Sequence, residues 1–123
     1  MKHYKVILSL EAKADIREIV RYIAKELCEP VTAEHMLDRI DKAITSLETM
    51  PEKYALVFDE YLASRGIRML TVQKYLIFYT VDHSKNEVYI SRVLYGKRNW
   101  ITLLTGEIGG GTHIARTSKP SDK

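Results

Sequence analysis

The sequence holds one cysteine, Cys28, so no internal disulfide can form and no thiolate zinc site can be assembled. No apolar run approaches the roughly 20 residues needed to cross a bilayer. Met1-Lys2-His3-Tyr4-Lys5 leads into only a few apolar or small residues before Glu11, too short a stretch for the apolar segment of a signal peptide. The expected address is the cytoplasm. Histidine is scarce, and His3, His35, His83 and His113 fall in separate segments without metal-ligand spacing. The one glycine run, Gly109-Gly110-Gly111, lacks the flanking strand and helix of a phosphate-cradling loop. The serines have no neighbouring base that sequence reveals. Neither a metal nor a cofactor is expected.

What is present fits one small globular domain. The chain has 123 residues, 46% apolar and 28% charged, enough for one core but not two. Net charge is only +3, but it is unevenly spread. Residues 11–62 carry seven Lys/Arg against twelve Asp/Glu. Residues 63–105 carry seven Lys/Arg against only Asp82 and Glu87. An acidic first half and a basic second half point the second half towards an anionic partner, either nucleic acid or an acidic protein segment.

Tyr4-Lys5-Val6-Ile7-Leu8 is β-prone, and Ser9 stands where a helix N-cap belongs, with Glu11 in the first turn. Leu10, Ile16, Ile19, Val20, Ile23 and Leu27 follow at helical spacing, predicting an amphipathic helix of about five turns that Pro30 stops. Cys28, near its end, reads as a small buried apolar group. Thr32 is the next N-cap candidate. Met36, Leu37, Ile40, Ala43, Ile44 and Leu47 form a second stripe ending before Met50-Pro51. Asp38 and Asp41, beside Arg39 and Lys42, read as surface charge on that helix.

From Gly66 the period becomes extended. Residues 67–72, 75–81 and 88–95 are strand candidates, and the turn chemistry of Asp82-His83-Ser84-Lys85-Asn86 joins the last two. Those two strands are apolar at nearly every position, so their hairpin is expected to be central and covered on both faces. Residues 98–104 predict a short terminal helix with Trp100 and Leu104 inward. The expected fold is α+β, in the order β-α-α-β-β-β, with a helical hairpin packed on an antiparallel sheet. The domain is expected over residues 1–107, with a flexible tail over 108–123.

The chemistry-bearing residues concentrate between Arg65 and Trp100. Arg68 and Arg92 lie on strands, Tyr75, Tyr79, Tyr89 and Tyr95 are interleaved with them, and Lys97-Arg98 closes the set. Cations with stacking rings are what single-stranded RNA binding requires. Tyr75, Tyr79 and Tyr89 fit a core equally well, whereas Tyr95, Lys97 and Arg98 sit at a strand end and favour exposure.

Two stretches carry a family resemblance. The run from Leu8 to Ile23, with Ala12-Lys13-Ala14-Asp15-Ile16, Ile19 and Tyr22, resembles the opening of ParE-type toxins. The pair Tyr75-Leu76-Ile77-Phe78-Tyr79 and Ile90-Ser91-Arg92-Val93-Leu94-Tyr95-Gly96-Lys97-Arg98 is similar to the signature hairpin of the RelE/ParE toxins. The likeness covers roughly residues 3–105. It implies a toxin of a type II toxin–antitoxin system that forms a hetero-oligomer with a cognate antitoxin, itself expected to be acidic or amphipathic. The target implied is DNA gyrase for a ParE-type member, or messenger RNA on the ribosome for a RelE-type member.

The sequence departs from the RelE-type pattern. Such members hold lysines near Ile67 and Met69 and an arginine at Leu76, all apolar here, and Trp100 stands where a tyrosine would act. Tyr95 takes the place of a histidine, and a phenol is a poor base at neutral pH. This favours gyrase inhibition without chemistry. Should RNA cleavage be the activity, Arg68 and Arg98 would carry phosphate charge and Tyr95 the proton. In either case Arg65, Arg68, Arg92, Tyr95, Lys97, Arg98 and Trp100 are the expected contacts with target or antitoxin. A non-toxic relative that only binds its partner is the third possibility.

Overall fold

Ser9 turns the chain from strand to helix. Its hydroxyl accepts from the Ala12 N–H at 2.9 Å, which satisfies an otherwise orphaned amide. It also donates to the Ser91 carbonyl at 2.8 Å, and so fixes the turn to the far end of the sequence. In the computed structural model, which describes residues 2–109, β1 (Lys5–Leu8) precedes this cap and α1 (Leu10–Arg21) follows it. The helix continues as a π segment, Tyr22–Glu26, and then α2 spans Pro30–Thr45. After two single 3₁₀ turns come a short α3 (Glu60–Ser64), β2 (Arg68–Val72), β3 (Tyr75–Asp82), β4 (Glu87–Tyr95) and α4 (Trp100–Gly109).

The four strands form one sheet in the order β1-β4-β3-β2. The β3–β4 hairpin occupies its centre, as the apolar runs require. The sheet is not wholly antiparallel, however. β1 lies parallel to β4, in a register from Lys5 opposite Glu87 to Leu8 opposite Ile90. A four-residue strand gives no sequence sign of which edge it will take.

Successive residues of the central strands feed two cores on opposite faces. Ile77, Tyr79, Val88, Ile90 and Val93 meet Ile16, Met36, Ile40, Ile44 and Leu47 of the helical hairpin. Phe78 and Leu94 meet Leu62 of α3 with Trp100 and Leu104 of α4. Each large side chain so enclosed stabilises by about 1.5–3 kcal/mol relative to exposure. The expected inward placement of Trp100 and Leu104 is observed.

The connections differ from the sequence reading. Pro30 opens α2 at its first position, where its missing N–H costs nothing, and Glu29 rather than Thr32 is the cap residue. The link is made by Cys28 in the left-handed region at φ 54°, which leaves its side chain exposed rather than buried. Leu10 and Leu27 are exposed and fall outside the core stripe, and Leu37 lies at its margin. The helix α3 has no sequence periodicity to announce it; Asp59 caps it by accepting from the Leu62 N–H at 3.0 Å. α4 reaches Gly109, past the expected boundary at 107, and the rest of the expected tail, residues 110–123, lies outside the described residues.

Candidate functional site

The expected site residues separate into three places. Arg92 leaves β4 and meets α1. Its Nε and Nη2 donate to the two carboxylate oxygens of Asp15 at 2.7 and 2.8 Å, and the Val93 N–H adds a third bond to Asp15 at 2.9 Å. Its Nη1 bonds Glu107 on α4. Both side chains of the Arg92–Asp15 pair are mostly buried. The Asp15 hydrogen bond chiefly holds the guanidinium charged, while burial pushes the Glu107 carboxyl up. Arg92 is thus committed within the fold and is not a displayed cation.

Arg68 is the centre of the second place. It donates to the Tyr54 carbonyl at 2.7 Å and lies 3.6 Å from the Glu52 carboxylate. Glu52 also bonds His83 Nε2 at 2.8 Å, which holds its carboxyl below the usual value, and His83 Nδ1 meets the Tyr4 hydroxyl at 3.1 Å. The buried Tyr79 hydroxyl donates to the Pro51 carbonyl at 2.7 Å. Arg68 and Tyr79 therefore pin the 51–54 segment, and His83 is more than an exposed turn residue because it ties that segment to the start of β1.

The third place is an open cleft of about 720 Å³ between the end of α1 and the tip of the β2–β3 turn. Gly96 makes this approach possible. Its N–H donates to the Lys74 carbonyl at 2.7 Å, and a Cβ there would stand 3.2 Å from that oxygen. The contact brings Lys74 and Tyr75 beside Tyr95 and Arg98, all lining the cleft with Tyr22 from the π segment. The Tyr75 and Tyr95 rings lie 5.8 Å apart. Burial first, and then the neighbouring Tyr95 and Tyr22 phenols, pushes the Tyr75 hydroxyl up. Ile19, Leu27, Val93 and Leu94 supply apolar wall, and Asp15 and Glu18 line one side.

Of the expected contacts, only Tyr95 and Arg98 meet here. Lys97 is exposed in the same connection, and Arg65 is exposed at the end of α3. Trp100 is buried, and its contribution to the surface is indirect, since exposed Phe58 stands edge-on to it at 5.3 Å. Sequence reasoning missed Tyr22, Lys74, Glu107 and Phe58 as site or clasp residues. Asp15 was visible within the first motif but gave no sign that its partner is Arg92 of the second. The positions where RelE-type relatives hold cations are filled by core: Ile67 is buried, and Met69 and Leu76 pack on the same cluster as Phe78 and Trp100.

Among the described residues no helix is long and apolar enough to cross a membrane, and no group of His, Cys, Asp and Glu is arranged to hold a metal. The solved structures that share the fold include two toxin–antitoxin systems. The chromosomal ParDE toxin–antitoxin system from P. aeruginosa is similar at 20% identity and a TM-score of 0.62, over 76% of this chain and 96% of that one. The RelBE2 toxin–antitoxin complex from Mycobacterium tuberculosis is similar at 20% identity and a TM-score of 0.55, over 77% of this chain and 93% of that one. No curated protein matches. Residues 6–100 match the family model of the ParE toxin of the type II toxin–antitoxin system parDE, a span that takes in both sequence motifs and the Asp15–Arg92 pair between them, and the chain belongs to that family.

Proposed function

We propose that this toxin arrests growth by binding DNA gyrase and not by cutting RNA, and that a cognate antitoxin neutralises it by covering its surface. The observation that carries the choice of target is the filling of the sheet face. Ile67, Met69 and Leu76 pack with Phe78, Leu94 and Trp100, and the nearby strand arginine, Arg92, is held by two carboxylates. Cleavage of RNA needs a base for the 2′-hydroxyl, an acid for the leaving oxygen and cations on the phosphate. A face closed by apolar side chains favours contact over chemistry. The antitoxin reading rests on membership of a toxin–antitoxin family.

RNA cleavage stays as a second reading because Tyr95 and Arg98 are exposed and line one cleft. Label incorporation decides between them. After induction of this chain alone in growing bacteria, early loss of thymidine incorporation with continued methionine incorporation is the expected result. Early loss of methionine incorporation would transfer the function to RNA cleavage. Undisturbed growth would leave only a binding module.

A further inference from the structure

The open cleft beside β4, at about 720 Å³, falls within the roughly 300–1,000 Å³ range of small-molecule sites. Its two acids are already engaged within the chain. Asp15 accepts from Arg92 and from the Val93 N–H, and Glu18 pairs with Arg21 at 2.6 Å. Its two cations, Lys74 and Arg98, have no carboxylate within ion-pair reach among the described residues. The tyrosine hydroxyls that hydrogen-bond among those residues belong to Tyr4 and Tyr79, not to Tyr22, Tyr75 or Tyr95 at the cleft. Burial raises the Tyr75 hydroxyl, which therefore stays protonated and able to donate at neutral pH. The π segment that begins with Tyr22 adds a separate sign, because π turns within helices occur frequently at functional sites.

We infer that this cleft binds a small planar aromatic anion, its charged group held by Lys74 and Arg98 and its ring laid against Tyr22, Tyr75 and Leu27. Each part of that chemistry has its own reason. Two cations without counter-ions, with phenol O–H donors beside them, select an oxyanion, either a carboxylate or a phosphate. The Tyr75 and Tyr95 rings are tilted at 54° to each other and do not stack, which leaves ring faces open to a third ring. Ile19, Leu27 and Val93 form apolar wall, which a bare inorganic anion would leave uncovered and a flat ring would bury. The same chemistry has two sources, an aromatic acid or a nucleoside monophosphate. A ligand here touches α1, the β2–β3 turn and the end of β4 at once, so its binding stabilises the folded domain. The site is independent of the gyrase reading and of any protein partner.

Calorimetric titration of the full chain tests this with adenosine 5′-monophosphate and indole-3-acetate as ring-bearing anions. Adenosine and indole supply the ring alone, and inorganic phosphate and acetate the charge alone. At least one ring-bearing anion is expected to bind with a Kd on the order of 10–100 μM and to raise Tm. Its separate parts should bind at least about tenfold more weakly. The tighter probe names the source, phosphate ester or aromatic acid. The double variant K74A/R98A should weaken that probe about tenfold or more. Tyr22→Leu should weaken it about threefold or more, and Arg39→Ala on α2 should leave it unchanged. All four side chains are exposed, and thermal melting confirms that each variant is folded. A Kd above about 1 mM for both probes would overturn the assignment. So would equal binding by K74A/R98A, or a ring or an anion alone binding as tightly as the joined molecule. A single-stranded oligonucleotide that binds about a hundredfold more tightly than the monophosphate, and is lost on K74A/R98A, would overturn it in favour of a nucleic-acid surface.

Discussion

Asp15 and Arg92 are 77 positions apart and meet through two near-parallel bonds of 2.7 and 2.8 Å. The two motifs that carry the family resemblance are thus the two halves of one ion pair, which fastens α1 to β4. Because both partners are mostly buried, removing the acid leaves an interior guanidinium with Glu107 as its one remaining carboxylate among the described residues. Asp15→Ala is expected to cost about 3 kcal/mol. This should lower Tm by upward of about 10 °C in a domain of this size. A melt within a degree or two of the unaltered protein would show that solvent replaces Asp15 without cost.

Tyr79 supplies a second expectation. Its ring is fully buried, and burial pushes its hydroxyl up to about 12. A phenol raised in this way favours the protonated fold: its contribution is complete below pH 10, the ordinary tyrosine value, and is lost as pH rises through about 12. Ultraviolet titration should therefore show a tyrosine step near pH 12 that Tyr79→Phe removes. The same change leaves the Pro51 carbonyl without its donor, at about 1–2 kcal/mol. A single titration step near pH 10 would contradict the buried placement.

Acid acts at the other end of the scale. The hydrogen bond from His83 holds Glu52 below its ordinary value of 4.5. A carboxylate depressed in the folded state stabilises above its unfolded pKa, and the effect is lost as pH falls through the folded value. Glu107, raised by burial, contributes in the opposite sense, stabilising at low pH and losing that effect as pH rises through its folded value. Glu52→Gln should flatten the fall of Tm below pH 4.5, the ordinary value, and Glu107→Gln should not. Equal flattening by both variants would mean that the two carboxyls are misassigned.

The face around α3 and α4 separates toxicity from folding. Trp100→Ala removes a buried ring and is expected to cost about 3–5 kcal/mol, so lost toxicity there carries no information on target contact. Phe58 is 75% exposed and only leans on Trp100. Phe58→Ala should cost at most about 1 kcal/mol. If this face meets gyrase, growth arrest by Phe58→Ala is weakened while antitoxin binding is kept. Full toxicity would place the target contact elsewhere.

Local patterns were legible from the sequence, and partners were not. The Ser9 cap, the two helical stripes and the β3–β4 hairpin all depend on neighbours a few residues away, and each was found where spacing put it, except that Leu10 and Leu27 at the ends of the first stripe are exposed. The helix α3 was missed because five residues give no period to read. The parallel edge strand was missed because edge choice is decided by the whole sheet. Arg92 was expected as a contact because it alternates with apolar residues on its strand, and its two acids lie 77 and 15 positions away. Tyr22 and Lys74 joined the site only because Gly96 lets the β2–β3 turn close on the end of β4. Trp100 was correctly turned inward by its spacing with Leu104, and its burial is why its expected part in a contact can only be indirect, through exposed Phe58.

The sheet order has a consequence for synthesis. β1 and α1 are made first, but the strand that β1 pairs with and the arginine that anchors α1 are among the last parts of the domain to leave the ribosome. Contacts of such long sequence separation cannot form until both ends are free. The nascent chain therefore carries an unanchored amphipathic hairpin until residue 95 has emerged, and the cleft exists only once that strand has joined the sheet. A translating ribosome thus exposes no complete sheet before β4 is free to take its place between β1 and β3.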